Sequence, residues 1–294
     1  MQSASNNANS HPCLLLHGLI STPNEFSVVR NTLEQKGASI HAPMLPGYSF
    51  EEGQKPTSWR DWLEAARREL YEQTDKHGPV VLGGLCIGAV TALALAAEER
   101  ERVAGLVLLS PTLYYDGWGL SKLRRLRHLG YYIPGLKRRI TVPEVEPFGV
   151  KNPQIRKFIA REMKQKAHSS AGAAHLPLWA IHEAERLMAH VRRQLHRIHA
   201  PTLILHARED EVASLKSPNF LMNSLAARDR RMVVLENSYH MITLDNDRHT
   251  VVEEMSKFLR RPVGTRPMHD VSVASSPILA PQPILAGDPT CQPL

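Results

Sequence analysis

The chain alternates short apolar runs with longer segments whose apolar positions recur at threes and fours, and the two patterns assign different elements. Cys13 to Leu16, Ala38 to His41, Val80 to Gly83, Val103 to Leu109, Thr202 to His206 and Arg231 to Leu235 read as strands. Between them, Glu25 to Lys36, Thr57 to Glu72, Ile87 to Ala97, Ser217 to Leu225 and Thr250 to Leu259 read as helices. In the second of these, Trp59, Trp62, Leu63, Ala66 and Leu70 fall on one face. Strands separated by helices of this length cannot pair as hairpins, so the pattern predicts βα units and a mainly parallel sheet of about six strands flanked by helices.

The alternation stops between Pro111 and Ala200, where the residues are helix-prone, basic and interrupted by Pro134, Pro143, Pro147, Pro153 and Pro177. Residues 12–111 and 200–260 are therefore expected to form the core and 112–199 an inserted, helical, basic cap. Beyond Leu259 prolines recur, charge nearly disappears, and Pro277-Ile278-Leu279-Ala280 is repeated as Pro283-Ile284-Leu285-Ala286. Residues 1–11 and 261–294 are expected to be flexible termini.

Composition narrows the class. The 294 residues are 43% hydrophobic, and no apolar run approaches the roughly 20 residues of a membrane span. The first residues lack the basic and apolar regions of a signal peptide, so a cytoplasmic enzyme is expected. Cys13, Cys86 and Cys291 form no disulfide framework and no metal-ligand spacing, and the cap histidines His168, His175, His182, His190, His196 and His199 show none either, so no metal and no cofactor is expected. The net charge of +7 is local: residues 119–200 hold 17 Lys/Arg against 5 Asp/Glu. No nucleic-acid reading motif accompanies it, and basicity alone gives only non-specific binding.

The chemistry centres on Gly84-Leu85-Cys86-Ile87-Gly88, which follows an apolar strand and opens a helix. That context makes G-x-C-x-G a nucleophile elbow, in which Gly84 and Gly88 let strand and helix pass closely around a strained Cys86. His17-Gly18-Leu19 follows the first strand, where the architecture supplies one oxyanion donor; Leu19 and Ile87 are the candidate N–H donors. A nucleophile also needs a base and a carboxylate, in the chain order nucleophile, acid, histidine. His240, after the last strand, is the candidate base. Arg208-Glu209-Asp210-Glu211 offers three carboxylates; Asp210 is chosen because its short chain suits a close partner, and Glu209 and Glu211 are expected to face solvent. Asp245 and Asp247 follow His240 too closely to be preferred.

With these residues in place, the sequence resembles the α/β-hydrolase superfamily over about residues 12–260, and within it small bacterial carboxylesterases and monoacylglycerol lipases. The resemblance rests on five blocks: Leu14-Leu15-Leu16-His17-Gly18, His41-Ala42-Pro43 with Pro46-Gly47, the elbow, Pro201-Thr202 with Ala207 to Glu211, and His240 to Asp245. It implies an α/β-hydrolase fold with a cap and a Cys86–His240–Asp210 triad. Those esterases carry serine at the elbow. A cysteine there resembles polyhydroxyalkanoate synthases and dienelactone hydrolases.

The expected activity is acyl transfer through an S-acyl intermediate, with hydrolysis of a carboxylic ester or thioester first. The alternatives are an acyltransferase taking its acyl group from an acyl carrier protein or coenzyme A, and a non-catalytic binding protein of the same fold. The substrate is a small-molecule or carrier-bound acyl compound. Interleaved basic and apolar residues in the cap, from Lys122 through Lys137-Arg138-Arg139 to Lys166, suit an apolar pocket under a positive entrance, attractive to an acidic carrier protein or an anionic membrane surface.

Overall fold

The apolar runs assemble into the expected parallel sheet, which has seven strands among the described residues. The computed structural model describes residues 10–120, 131, 135–166, 168–169, 171–261 and 269–274. In chain order the first half comprises β1 (Cys13–Leu16), α1 (Ser27–Gln35), β2 (Ile40–His41), α2 (Trp59–His77), β3 (Val80–Leu85), α3 (Ile87–Glu98) and β4 (Val103–Leu109). The insertion follows with β5 (Thr141–Pro143), α4 (Pro153–Lys166), β6 (His168–Ser169), β7 (Gly172–Ala173), β8 (His175–Pro177) and α5 (Leu178–Arg192). The core then resumes with β9 (Thr202–Ala207), α6 (Lys216–Ser224), β10 (Arg230–Leu235), α7 (Arg248–Leu259) and β11 (His269–Ala274).

The main sheet runs β11-β10-β9-β4-β3-β1-β2, every pairing parallel. Its central strands are continuous apolar runs because both faces are covered. Leu14, Leu16, Leu82 and Leu106 pack into one hydrophobic cluster, while Leu15, Val81 and Val107, their neighbours in the chain, pack into another. Alternate side chains thus fill the two layers above and below the sheet. The α2 helix starts on a capping box between Ser58 and Asp61 and buries the face read from the sequence, Trp59, Trp62, Leu63, Ala66 and Leu70. The α3 helix is buried from Ile87 to Ala97, which its Ala-rich composition allows by letting neighbouring elements approach.

Three expectations need correction. The insertion is not purely helical: β5 pairs with β8 and β6 with β7 as short antiparallel ladders. Moreover α5 is a core helix. Trp179, Ala180, Ala184, Leu187 and Val191 join the same cluster as Leu14, Trp62 and Leu93, the Trp62 and Trp179 rings lie 6.3 Å apart, and Glu183 accepts a hydrogen bond from the Trp59 N–H. Its apolar stripe at helical spacing needs a partner, and α2 and α3 provide it. The region expected as a flexible C-terminus also contains β11, which pairs with β10 from Arg230–His269 to Leu235–Ala274. The alternating segment His269-Asp270-Val271-Ser272-Val273-Ala274 carries a strand period that the surrounding prolines hide. Lys122, Arg124, Arg125 and Arg127 of the cap, Tyr132 and Ile133, and the repeat around Pro277 with Cys291 lie outside the described residues.

Candidate active site

The elbow forms as its glycines require. Cys86 joins β3 to α3 with φ 56° and ψ −116°, a left-handed backbone that costs a non-glycine residue of order 1–3 kcal/mol. The turn closes because its flanks are bare: a Cβ on Gly84 would lie 2.4 Å from the Gly88 carbonyl carbon, and one on Gly88 would lie 2.0 Å from the Leu16 carbonyl oxygen. The Cys86 N–H donates to the Leu109 carbonyl at 3.0 Å, tying the turn to β4. Among the described residues, the other non-glycine residues of positive φ are Ile20, Ser110 and Phe148. Phe148 lines the same cavity as Cys86, and the Ser110 hydroxyl donates to the His240 carbonyl at 2.7 Å.

The structure brings Cys86, His240 and Asp210 together. His240, on the loop after β10, is buried, and its Nδ1 donates to Asp210 Oδ2 at 2.7 Å. Asp210 is held in turn, Oδ1 accepting from the N–H groups of Val212 at 2.8 Å and Ala213 at 2.9 Å. Burial works against the charge on both groups and their proximity overrides it. Asp210 is held below the usual carboxylate range by the charge and hydrogen bond of His240, and the imidazole is raised well above its ordinary value by Asp210 and by Cys86. His240 is buried and shares a cavity of about 100 Å³ with Cys86, whose side chain engages the imidazole. The Thr112 hydroxyl reaches the Cys86 sulfur at 3.5 Å.

Leu19 lines this cavity, and Ile87 opens α3, where the first N–H groups of a helix have no intrahelical acceptor. The turn before Leu19 is fixed from behind. His17 is buried, its Nδ1 donates to the Gly18 carbonyl at 2.9 Å and its Nε2 accepts from the Ser49 hydroxyl at 2.7 Å. Burial lowers its pKa to about 4, so it stays neutral and serves as a strut.

Several residues of the site were not legible from the pattern. Glu209 is exposed and pairs with Lys151, as its expected orientation implies. Glu211 is instead buried, since it accepts the His240 N–H at 3.1 Å, and burial raises its carboxyl to about 7. His206, inside β9, donates to the Ala213 carbonyl at 2.8 Å and lies 3.5 Å from Asp210 Oδ2, the oxygen that also accepts from His240. Asp245 accepts from the N–H groups of Lys151, Asn152, Tyr239 and Asn246, which ties the insertion to the His240 loop. The cavity wall also departs from expectation. Three glutamates, Glu25, Glu144 and Glu211, line it among otherwise mainly apolar residues, and no lysine or arginine does so among the described residues.

Known proteins are similar to this chain in sequence and fold. The family described as serine aminopeptidase, S33 matches residues 8–247. The chain is 23% identical over 252 residues to a thermostable monoacylglycerol lipase of Bacillus sp. (strain H-257), covering 85% of this chain and 91% of the relative. It is 23% identical over 252 residues to a carboxylesterase of Bacillus subtilis (strain 168), covering 84% and 92%. The solved structure of Paleococcus ferrophilus monoacylglycerol lipase superposes with a TM-score of 0.69 at 19% identity, over 85% of this chain and 96% of that one, a likeness of fold.

Proposed function

This chain belongs to the serine aminopeptidase S33 family, and on that premise we propose that it hydrolyses a carboxylic ester or thioester through an S-acyl intermediate on Cys86. The observation that carries this reading is the Asp210–His240 pair sharing one cavity with a thiol on a strained elbow. The names of the lipase and carboxylesterase relatives support an ester as the bond attacked.

In this mechanism His240, oriented by Asp210, and Cys86 form a thiolate–imidazolium pair, which a helix N-terminus also favours. The sulfur attacks the acyl carbon, a C–S bond forms, and the carbonyl oxygen takes the negative charge against the N–H groups of Leu19 and Ile87. As the bond to the leaving oxygen or sulfur breaks, His240 gives that atom the Nε2 proton. Water then attacks the thioester, His240 takes its proton, the C–S bond breaks, and the carboxylic acid leaves with the thiolate regenerated.

A second reading has a specific basis in the sulfur. A thioester is more open to amines and thiols, relative to water, than a serine ester is, so an acyltransferase with an acyl carrier protein or coenzyme A as donor is the rival. The exposed Arg138, Arg139, Lys157 and Arg161 of the insertion would attract such a donor, or an anionic membrane surface. Product analysis separates the two. An activated short-chain ester or thioester is incubated with and without a primary amine, and hydrolysis predicts free acid as the main product in both. Amide as the main product would establish transfer. No product of either kind from a range of acyl lengths would favour a binding protein.

A further inference from the structure

Glu25 reads in the sequence as one polar residue at the start of a helix, yet it is 1% exposed and lines the cavity with Cys86 and His240. The one-turn segment Pro23–Phe26 aims it inward. Its Oε1 accepts the Gly18 N–H at 2.7 Å and its Oε2 pairs with the Ser21 hydroxyl at 2.6 Å. The Ser21 N–H closes the same turn on the Gly18 carbonyl at 3.3 Å, and Ile20 within it holds φ 47°. Leu19 lies between the two clamped residues. A Cβ on Gly18 would sit 3.4 Å from Glu25 Oε2 and 3.7 Å from Cys86 Cβ, so carboxyl and thiol flank one glycine.

We propose that Glu25 is a positioning residue that fixes the turn presenting the Leu19 N–H, and that its protonated form is the one in which the site turns over fastest. This rests on the reading of Cys86 as nucleophile. As a carboxylate, Glu25 accepts both hydrogen bonds but leaves a negative charge beside the place where the oxyanion forms. Protonated on Oε2, it keeps the Gly18 bond and donates to the Ser21 oxygen. The Ser21 hydroxyl proton then turns toward the cavity that Ser21 also lines. The turn stays clamped, the opposing charge is gone, and one more donor faces the substrate.

Burial pushes Glu25 up to about 8, against the bonds from Ser21 and Gly18 and the charge of His240, so the neutral form holds at neutral pH. The titratable groups facing it are Cys86 at the head of α3, His240 after β10 and Tyr48 after β2; Glu144, Glu211 and Tyr115 also line the cavity.

The test follows Cys86 acylation, by release of the leaving group and by intact mass, below and above pH 8 in the wild type and two variants. E25A removes the clamp and is expected to lower kcat on the order of 10²-fold with KM nearly constant, the scale of a misplaced catalytic group. E25Q accepts from Gly18 and donates to Ser21 as the neutral acid does, so it is expected to recover most of that loss and to lack the wild-type fall above pH 8. A wild-type kcat in E25A, or an E25Q profile that falls as the wild type does, would overturn the proposal. Should E25A fail to fold, the E25Q profile decides alone. Absence of any adduct in the wild type overturns the nucleophile reading itself, whereas equal acylation in all three proteins removes only the role of Glu25.

Discussion

The choice of sulfur at position 86 fits the titration of its neighbour. His240 is raised well above its ordinary value, the cost of burial being outweighed by Asp210 and Cys86, so the pair favours imidazolium over neutral imidazole. An imidazolium suits a thiolate and is a poor base for a hydroxyl. Cys86→Ser is therefore expected to lower kcat by on the order of 10²-fold or more in steady-state hydrolysis. Asp210→Asn keeps the shape but cannot hold the Nδ1 proton against a negative charge, and the expected loss in kcat is on the order of 10⁴-fold. Retained turnover in the asparagine variant would mean that Glu211, which touches the His240 backbone, takes over the role.

Glycine 88 and helix α5 connect the site to the elements that build it. Gly88→Ala places a methyl 2.0 Å from the Leu16 carbonyl, a backbone neighbour that cannot swing away, so β1 and α3 must part. The expected loss of unfolding free energy in denaturant titration is about 3 kcal/mol. Leu187→Ala, in a helix that the sequence assigns to a cap, is expected to cost about 2–5 kcal/mol because Leu187 is fully buried among α2 and α3. A change within about 0.5 kcal/mol, the value for a surface position, would return α5 to the cap. The elements of the core were legible because their signals are local. The runs at Cys13–Leu16 and Val103–Leu109 end where flanking polar residues stop them, and Gly84 and Gly88 announce the elbow. Cys86, His240 and Asp210, which chain order nominated, are neighbours in the structure. What escaped was set by tertiary neighbours: Glu211 and Glu209 carry the same side chain in the same acidic run, and only the His240 N–H decides which one turns inward. Glu25 likewise has no signal in its own turn that a carboxyl will face Gly18 across seven residues.

Over the whole molecule, charge is sorted by depth. Most basic residues of the insertion that are described are exposed and none is buried, while the cavity wall carries glutamates and no lysine or arginine among the described residues. Burying carboxyls in this way leaves a signature in stability. Glu25, at about 8, and Glu211, at about 7, are raised above the ordinary value of 4.5. A group raised on folding contributes stability in full below its unfolded value and loses it as pH rises through the folded one. The two glutamates therefore cost stability between about pH 4.5 and 8, and the raised His240 acts in the same direction above pH 6.5. Asp210, lowered on folding, opposes them only at acid pH. Thermal melting is expected to show a lower Tm at pH 8 than at pH 6, with the difference reduced in Glu211→Gln; an unchanged difference would mean that Glu211 does not titrate in that window.

All of these effects converge on one sulfur atom. Brief incubation of the full chain with an activated acyl ester, acid quench and peptide mass mapping will read where the acyl group resides. The expected result is a single acyl adduct on the peptide containing Cys86, absent in Cys86→Ala and decaying in buffer at the rate of turnover. Undiminished turnover in Cys86→Ala, or an adduct on any other residue, would contradict the assignment of Cys86 as the nucleophile.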